Sequence, residues 1–195
     1  QAQGTEEALR AMLGSGDENM QKEVLYALSR VGSKASLKDL ADAAAKAGYT
    51  MEKTGANEAY VTLIKRVAEQ GDVKDAEKAA NDLLKKATKV GKIQSRDAAM
   101  QILMSLKKDN VTKLLLTALK DQCKEYRNAA LNYASDYADK NMYIELVKTM
   151  SKAKPAVKVD ILNWLGRESK CPTKHDIIKG LELRFDLTAM QVLLQ

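Results

Sequence analysis

A nine-residue pattern occurs three times in this chain at a constant spacing. The copies are SRDAAMQIL at 95–103, YRNAALNYA at 126–134 and VKVDILNWL at 157–165. Their sixth residues Met100, Leu131 and Leu162 stand 31 positions apart each time. A period of this length is typical of repeat proteins, in which each unit buries its apolar face only by stacking on its neighbours. The pattern therefore restricts the chain to folds built from similar stacked units.

The composition predicts that these units are helical. Only two of the 195 residues are proline, and Ala, Leu, Lys and Glu, which lose little side-chain freedom in a helix, are abundant. Asp17 and Asp72 stand at N-cap positions, and Ser36 with Asp39 forms a pattern similar to a capping box. We expect helices and no strand, near 5–13, 18–31, 37–47, 55–70, 73–90, 95–107, 110–121, 125–139, 141–152, 155–167, 174–184 and 187–195.

Weaker copies of the pattern lie at 20–28, 56–64 and 189–193. The segment MQKEVLYALSRVG at 20–32 resembles the second helix of short HEAT repeats, which reads Val-Arg-x-x-Ala-Ala-x-Ala-Leu-Gly, and 157–166 is similar. The resemblance implies one all-α domain over 1–195, a right-handed α-α superhelix (solenoid) of about six helical hairpins. The repeats would span 5–32, 36–70, 72–107, 109–139, 140–168 and an incomplete 172–195. The second and third are longer than the others, and several lack the arginine of the family pattern.

Two faces of the second helices follow from helical spacing. The predicted inward residues are Val24, Leu25, Leu28, Tyr60, Val61, Ile64, Ala99, Met100, Leu103, Ala130, Leu131, Ala134, Ile161, Leu162 and Leu165. In HEAT-like solenoids the opposite face lines the concave side, so the resemblance implies a polar binding wall. Its candidate residues are Lys22, Tyr26, Arg30, Thr62, Arg66, Gln101, Asn132, Asn163 and Arg167. The alternative is that these are only solvated polar positions.

No catalytic, metal or cofactor site is predicted. His175 is the single histidine, and a triad or a catalytic zinc site needs further partners. Cys123 and Cys171 are too far apart in sequence for a usual metal motif, and the hairpin pattern places them on opposite edges, which disfavours a disulfide. There is no glycine-rich phosphate loop and no apolar run long enough to span a membrane.

Aromatic residues form a stripe in the later repeats. Tyr126, Tyr133 and Tyr137 share one helical face, and Trp164 occupies the position of Tyr133 in the next repeat. Such a stripe can stack on a sugar or a base. The equivalent residues in earlier repeats are apolar, which favours a place in the core between repeats.

The net charge of +6 arises from both signs interleaved along the helices, which disfavours nucleic-acid binding. The leading prediction is a non-catalytic protein-interaction or scaffolding module within a larger protein. The alternatives are an accessory domain of a secreted carbohydrate-active protein, a nucleic-acid-binding HEAT-like solenoid and a bilin-lyase-like subunit. The start at Gln1–Gly4 is compatible with a cleaved export signal and favours a periplasmic or secreted location, and the uncapped apolar end at 192–194 suggests a homodimer contact.

Overall fold

The computed structural model describes residues 2–14 and 16–168 of the chain. Within these residues it is all-helical, as predicted, with ten α-helices and no strand. The helices are α1 Ala2–Met12, α2 Glu18–Val31, α3 Leu37–Lys46, α4 Ala56–Glu69, α5 Val73–Lys89, α6 Ile93–Leu106, α7 Val111–Ala118, α8 Lys124–Ala134, α9 Lys140–Lys152 and α10 Pro155–Arg167. Single 3-10 turns occur at Lys34–Ser36, Lys108–Asn110 and Ser135–Tyr137. The predicted helices 174–184 and 187–195 lie outside the described residues.

The chain divides into two compact units, Gln1–Leu106 and Lys107–Gln195. The boundary coincides with the predicted junction between the third and fourth repeats. The single-domain assignment of 1–195 stays a prediction.

In the first unit, consecutive helices pack as pairs and the pairs pack on one another. Helix α1 contacts α2, α3 contacts α4, and α5 contacts α6. The second helices of successive pairs also touch, since α4 contacts both α2 and α6. The second helices therefore lie side by side in one layer.

The second unit repeats this arrangement on a smaller scale. Helix α7 contacts α8, and α9 contacts α10. The second helices α8 and α10 contact each other, as do the first helices α7 and α9. In both units, therefore, consecutive helices form hairpins, and the second helices of neighbouring hairpins contact each other.

The predicted core columns are buried with one exception. Val61 is only half-buried, whereas every other predicted inward residue is buried. Tyr126 and Trp164 are buried as well, while Tyr133 and Tyr137 are half-buried. The Trp164 ring lies 5.7 Å from that of Tyr143, measured between centroids. This places the inner part of the aromatic stripe in the core, as the apolar equivalents in earlier repeats indicated.

Two of the helix starts follow simple capping chemistry. The carboxylate of Asp17 accepts a hydrogen bond from Met20 N at 2.9 Å. Asp139 caps α9 in the same way, accepting from Met142 N at 2.7 Å. Each acid satisfies one of the backbone N–H groups that a helix leaves unpaired in its first turn.

Ser36 and Asp72 stand at the predicted N-cap positions of α3 and α5, but neither side chain makes a capping hydrogen bond, because tertiary contacts take both of them. Ser36 makes no capping bond, and its hydroxyl instead donates to Glu6 Oε1 at 2.6 Å. Asp72 is the N-cap residue of α5, but its carboxylate makes no capping bond and lies 2.8 Å from Lys34 Nζ. In both cases the side chain binds a group of another helix or turn rather than its own backbone.

Gly32 is required by the space around it and not by its backbone angle. Its φ of −65° is open to any residue. A Cβ at this position would lie 2.4 Å from Leu28 O and 3.2 Å from Leu63 Cδ1. The glycine therefore allows the chain to pass close to the Leu28 carbonyl at the end of α2, and the contact with Leu63 of α4 adds a smaller restriction.

Candidate binding surface

The exposed side of the second helices carries most of the residues predicted for the binding wall. In the first unit, Lys22, Tyr26 and Arg30 are exposed on α2, Thr62 on α4 and Gln101 on α6. Because α4 packs between α2 and α6, these residues belong to adjacent helices of one layer. Their exposure agrees with the sequence pattern, whereas their role in binding stays a prediction.

Tyr26 is the most prominent side chain of this surface. It is 62% exposed and is flanked at i−4 and i+4 by Lys22 and Arg30, which lie on the same side of the helix. A tyrosine offers a large, stiff contact area with a polar tip, which is why it is enriched at energetically important interface positions. We therefore regard Tyr26 as the main anchor of the candidate surface.

Arg66 differs from its predicted neighbours because it is half-buried. Its Nε donates to the backbone oxygen of Gly32 at 3.2 Å, and Gln70 Nε2 lies 3.5 Å from the same oxygen. The side chain therefore ties the end of α4 to the end of α2. At least one of its donors serves the fold rather than a ligand.

Asp97 lies near the candidate residue Gln101 and is not itself one of the predicted binding residues. It lies one turn before Gln101 on α6 and is half-buried. Its Oδ1 is buried and has no hydrogen-bond partner among the described residues. Burial raises the pKa of Asp97 to about 6, although the neighbouring Arg96 acts to lower it. No feature of the local sequence distinguishes this acid from the exposed ones, since its burial comes from tertiary packing.

The second unit presents its own, smaller polar face. Asn132 on α8 and Asn163 and Arg167 on α10 are exposed. Arg167 Nε donates to Asn163 O at 3.2 Å, one turn earlier in the same helix. These residues lie toward the C-terminal ends of their helices.

The column of the repeat pattern that contains Arg96 and Arg127 is buried in three repeats, whereas Gln21 and Lys158 of the same column are half-buried. Asn57, Arg96 and Arg127 occupy equivalent positions in successive repeats, and each is less than 8% exposed. Arg127 forms an ion pair with Asp160, with Nη2 and Nε at 2.6 and 2.7 Å from Oδ2. Its Nη1 donates to the backbone oxygens of Asp121 and Gln122 at 3.0 and 2.9 Å. This side chain links α8, α10 and the turn before α8, so its role is structural.

The part of the chain that the structure describes contains no group of three or more His, Cys, Asp or Glu residues able to hold a metal ion. No helix in that part is long and apolar enough to cross a membrane. His175 and Cys171 lie outside the described residues, as does the end at 192–194.

A comparison with models of known protein families, with curated proteins and with solved structures found no match for this chain.

Proposed function

We propose that the chain is a right-handed α-solenoid of HEAT-like hairpins that acts as a non-catalytic scaffold and binds an extended segment of a protein partner. The binding surface is the exposed face of the second helices, with Tyr26, Thr62 and Gln101 at its centre. The single observation that carries this proposal is the layer of α2, α4 and α6, whose outer residues are exposed in register.

The chemistry of the surface suits a polypeptide. Thr62 and Gln101 offer hydrogen-bond donors and acceptors, Tyr26 offers an aromatic contact, and Lys22 and Arg30 offer positive charge. An extended peptide carries unpaired backbone N–H and C=O groups along its length, which such a mixed polar row can match.

The test is a photo-crosslinking experiment in cell extracts. A crosslinking amino acid is placed at Thr62 or at Gln101, and the captured proteins are identified by mass spectrometry. The same amino acid at Lys85 or Lys113, which are exposed on the first helices α5 and α7, provides the control. We expect a discrete partner at the two second-helix positions and none at the controls.

A variant then ties the capture to the surface residues. The triple change Tyr26→Ala, Thr62→Ala and Gln101→Ala should abolish capture while circular dichroism shows unchanged helicity. A control with Lys85→Ala, Lys89→Ala and Lys113→Ala should retain it. Equal capture by both triple variants would refute the proposal, and capture of nucleic acid that weakens steeply with salt would favour the nucleic-acid alternative.

A further inference from the structure

A cleft in the second unit lies at the opposite end of α8 and α10 from the polar face described above. It has a volume of about 680 Å³ and opens to solvent. This falls within the range of roughly 300–1,000 Å³ that is usual for ligand sites. Its walls come from the end of α7, the turn before α8, the end of α9 and the start of α10.

The inner lining of the cleft is mostly apolar. Leu116 and Leu119 contribute from the α7 side, and Ala153, Ala156 and Val157 contribute from the α9–α10 turn. Leu119 is buried, whereas the other four are half-buried or exposed. The partly exposed apolar groups gain free energy when a ligand removes them from water.

The rim of the cleft is basic. Lys120, Lys152 and Lys154 line it and are exposed, and none of them forms an ion pair with the described residues. Among the described residues that line the cleft, Asp121 is the one acid, and its Oδ1 accepts a hydrogen bond from Cys123 N at 2.8 Å. The rim therefore presents an excess of positive charge that no ion pair among the described residues neutralises.

The walls that carry these groups are held in place. Arg127 lines the cleft, but its Nε and Nη2 are bound to Asp160 and its Nη1 to two backbone oxygens of the turn before α8. It therefore braces the turn instead of offering its charge to a ligand. A site whose walls are fixed before binding loses less entropy when a ligand binds.

We propose that this cleft binds a short acidic peptide segment whose apolar side chain enters between Leu116 and Val157 while its carboxylates meet Lys120, Lys152 and Lys154. An apolar interior beneath a basic rim matches an anchor of this kind, in which apolar and acidic residues alternate. The open side leaves the rest of the peptide in water. This site is separate from the proposed second-helix surface and does not depend on it.

Fluorescence anisotropy with the full chain tests the proposal. The probe is a fluorescein-labelled peptide of alternating leucine and glutamate, compared with the same peptide carrying lysine in place of glutamate. We expect saturable binding of the acidic probe, weakened by salt, and none of the basic one. The double change Lys152→Glu and Lys154→Glu should weaken binding by about tenfold or more, because two attractive contacts become repulsive.

Two further variants distinguish binding in this cleft from a general electrostatic attraction between the peptide and the basic protein. Lys85→Glu with Lys89→Glu makes the same charge change on α5 and likewise includes the last residue of a helix, and it should leave the affinity unchanged. Ala156→Trp fills the cleft from an exposed position without changing its charge, and it should abolish binding. Binding that survives Ala156→Trp, equal losses in the two charge-reversal variants, or a preference for anionic phosphatidylglycerol vesicles over the peptide would overturn the proposal.

Discussion

The two units each use a buried acid to join consecutive hairpins, but the partners of these acids differ. In the first unit, Glu6 Oε1 accepts hydrogen bonds from Ser36 Oγ, Ser33 N and Ser33 Oγ at 2.6, 2.9 and 3.1 Å. In the second, Asp160 meets a guanidinium, and the side chains of Arg127 and Asp160 are only 4% and 1% exposed. The buried acid of the first junction therefore meets neutral donors, whereas the buried acid of the second meets an opposite charge.

The difference determines how each junction fails. If Glu6 loses its charge, the serine hydroxyls can still donate to a neutral oxygen or turn to another acceptor. If Asp160 is lost, the Arg127 guanidinium stays buried with an unpaired charge, which is far more costly than the loss of one hydrogen bond. We therefore expect the second unit to be the more sensitive of the two to a single polar substitution.

The largest effect should come from Asp160→Ala, which we expect to destabilise the second unit by about 3–5 kcal/mol. Trp164 is the single tryptophan of the chain and is buried in this unit, so its fluorescence during urea unfolding reports the change. The double variant Arg127→Met with Asp160→Leu removes both charges and should recover most of the loss. A single variant as stable as the wild type would show that the pair does not hold the junction.

A matched pair of apolar variants tests whether the two cores are otherwise alike. Leu28 in the first unit and Leu131 in the second are both almost fully buried, at 0% and 1% exposure. Leu28→Ala and Leu131→Ala should each cost about 2–5 kcal/mol from lost burial and the cavity that remains. Thermal and urea unfolding measure both, and a clear inequality would mean that the units differ in apolar packing as well as in polar contacts.

Glu6→Gln should have a smaller effect, about 1–2 kcal/mol, since hydrogen bonds to a charged acceptor are stronger than those to a neutral one. Amide exchange at Ser33, whose N–H donates to Glu6, reports the change. Burial alone would raise the pKa of Glu6, but the bonds from Ser36 and Ser33 lower it below its usual value. The contribution of the wild-type residue is therefore complete above the usual glutamate pKa and is lost as the pH falls through the lowered one.

That pH dependence supplies the control for the glutamate prediction. The wild type and Glu6→Gln should converge in stability at acid pH, where Glu6 is protonated in both the folded and the unfolded state. A difference that persists unchanged into strong acid would assign the effect to packing rather than to charge.

Asp97→Asn should give the smallest effect and the opposite sign. The raised pKa, about 6, means that the folded chain holds a proton between roughly pH 4 and 6 that the unfolded chain has released. Stability from this group is present at low pH and is lost as the pH rises through about 6. Because Asp97 is half-buried and partly screened, we expect the variant to gain about 1 kcal/mol at neutral pH and little in acid, measured by thermal unfolding. A loss of stability at neutral pH would contradict this.

Helix positions and core columns could be predicted because they follow from local rules. The apolar spacing that placed Leu28, Leu131 and Leu162 inward is a property of each helix by itself. Val61 departs from its column because its burial depends on how neighbouring helices approach. The caps show the same limit, since the hydroxyl of Ser36 binds Glu6 from a distant helix instead of its own helix start.

For the candidate surface, the sequence predicted which side chains are exposed but not their contacts with other helices. Helical spacing alone identified the exposed positions of Tyr26, Gln101 and Asn132, but the hydrogen bond from Arg66 to Gly32 and the buried oxygen of Asp97 depend on contacts between helices. The lysine-rimmed cleft likewise joins residues of two consecutive hairpins that no local pattern connects.

The sequence by itself determined the helical class, the order of the helices and which side of each one is apolar, because periodicity and capping act within a few residues. Tertiary structure decided the division into two units, the partners of Glu6 and Asp160, and the raised pKa of Asp97. Those features depend on distances between residues far apart in the chain, and burial and electrostatic interactions are set by such distances rather than by local order.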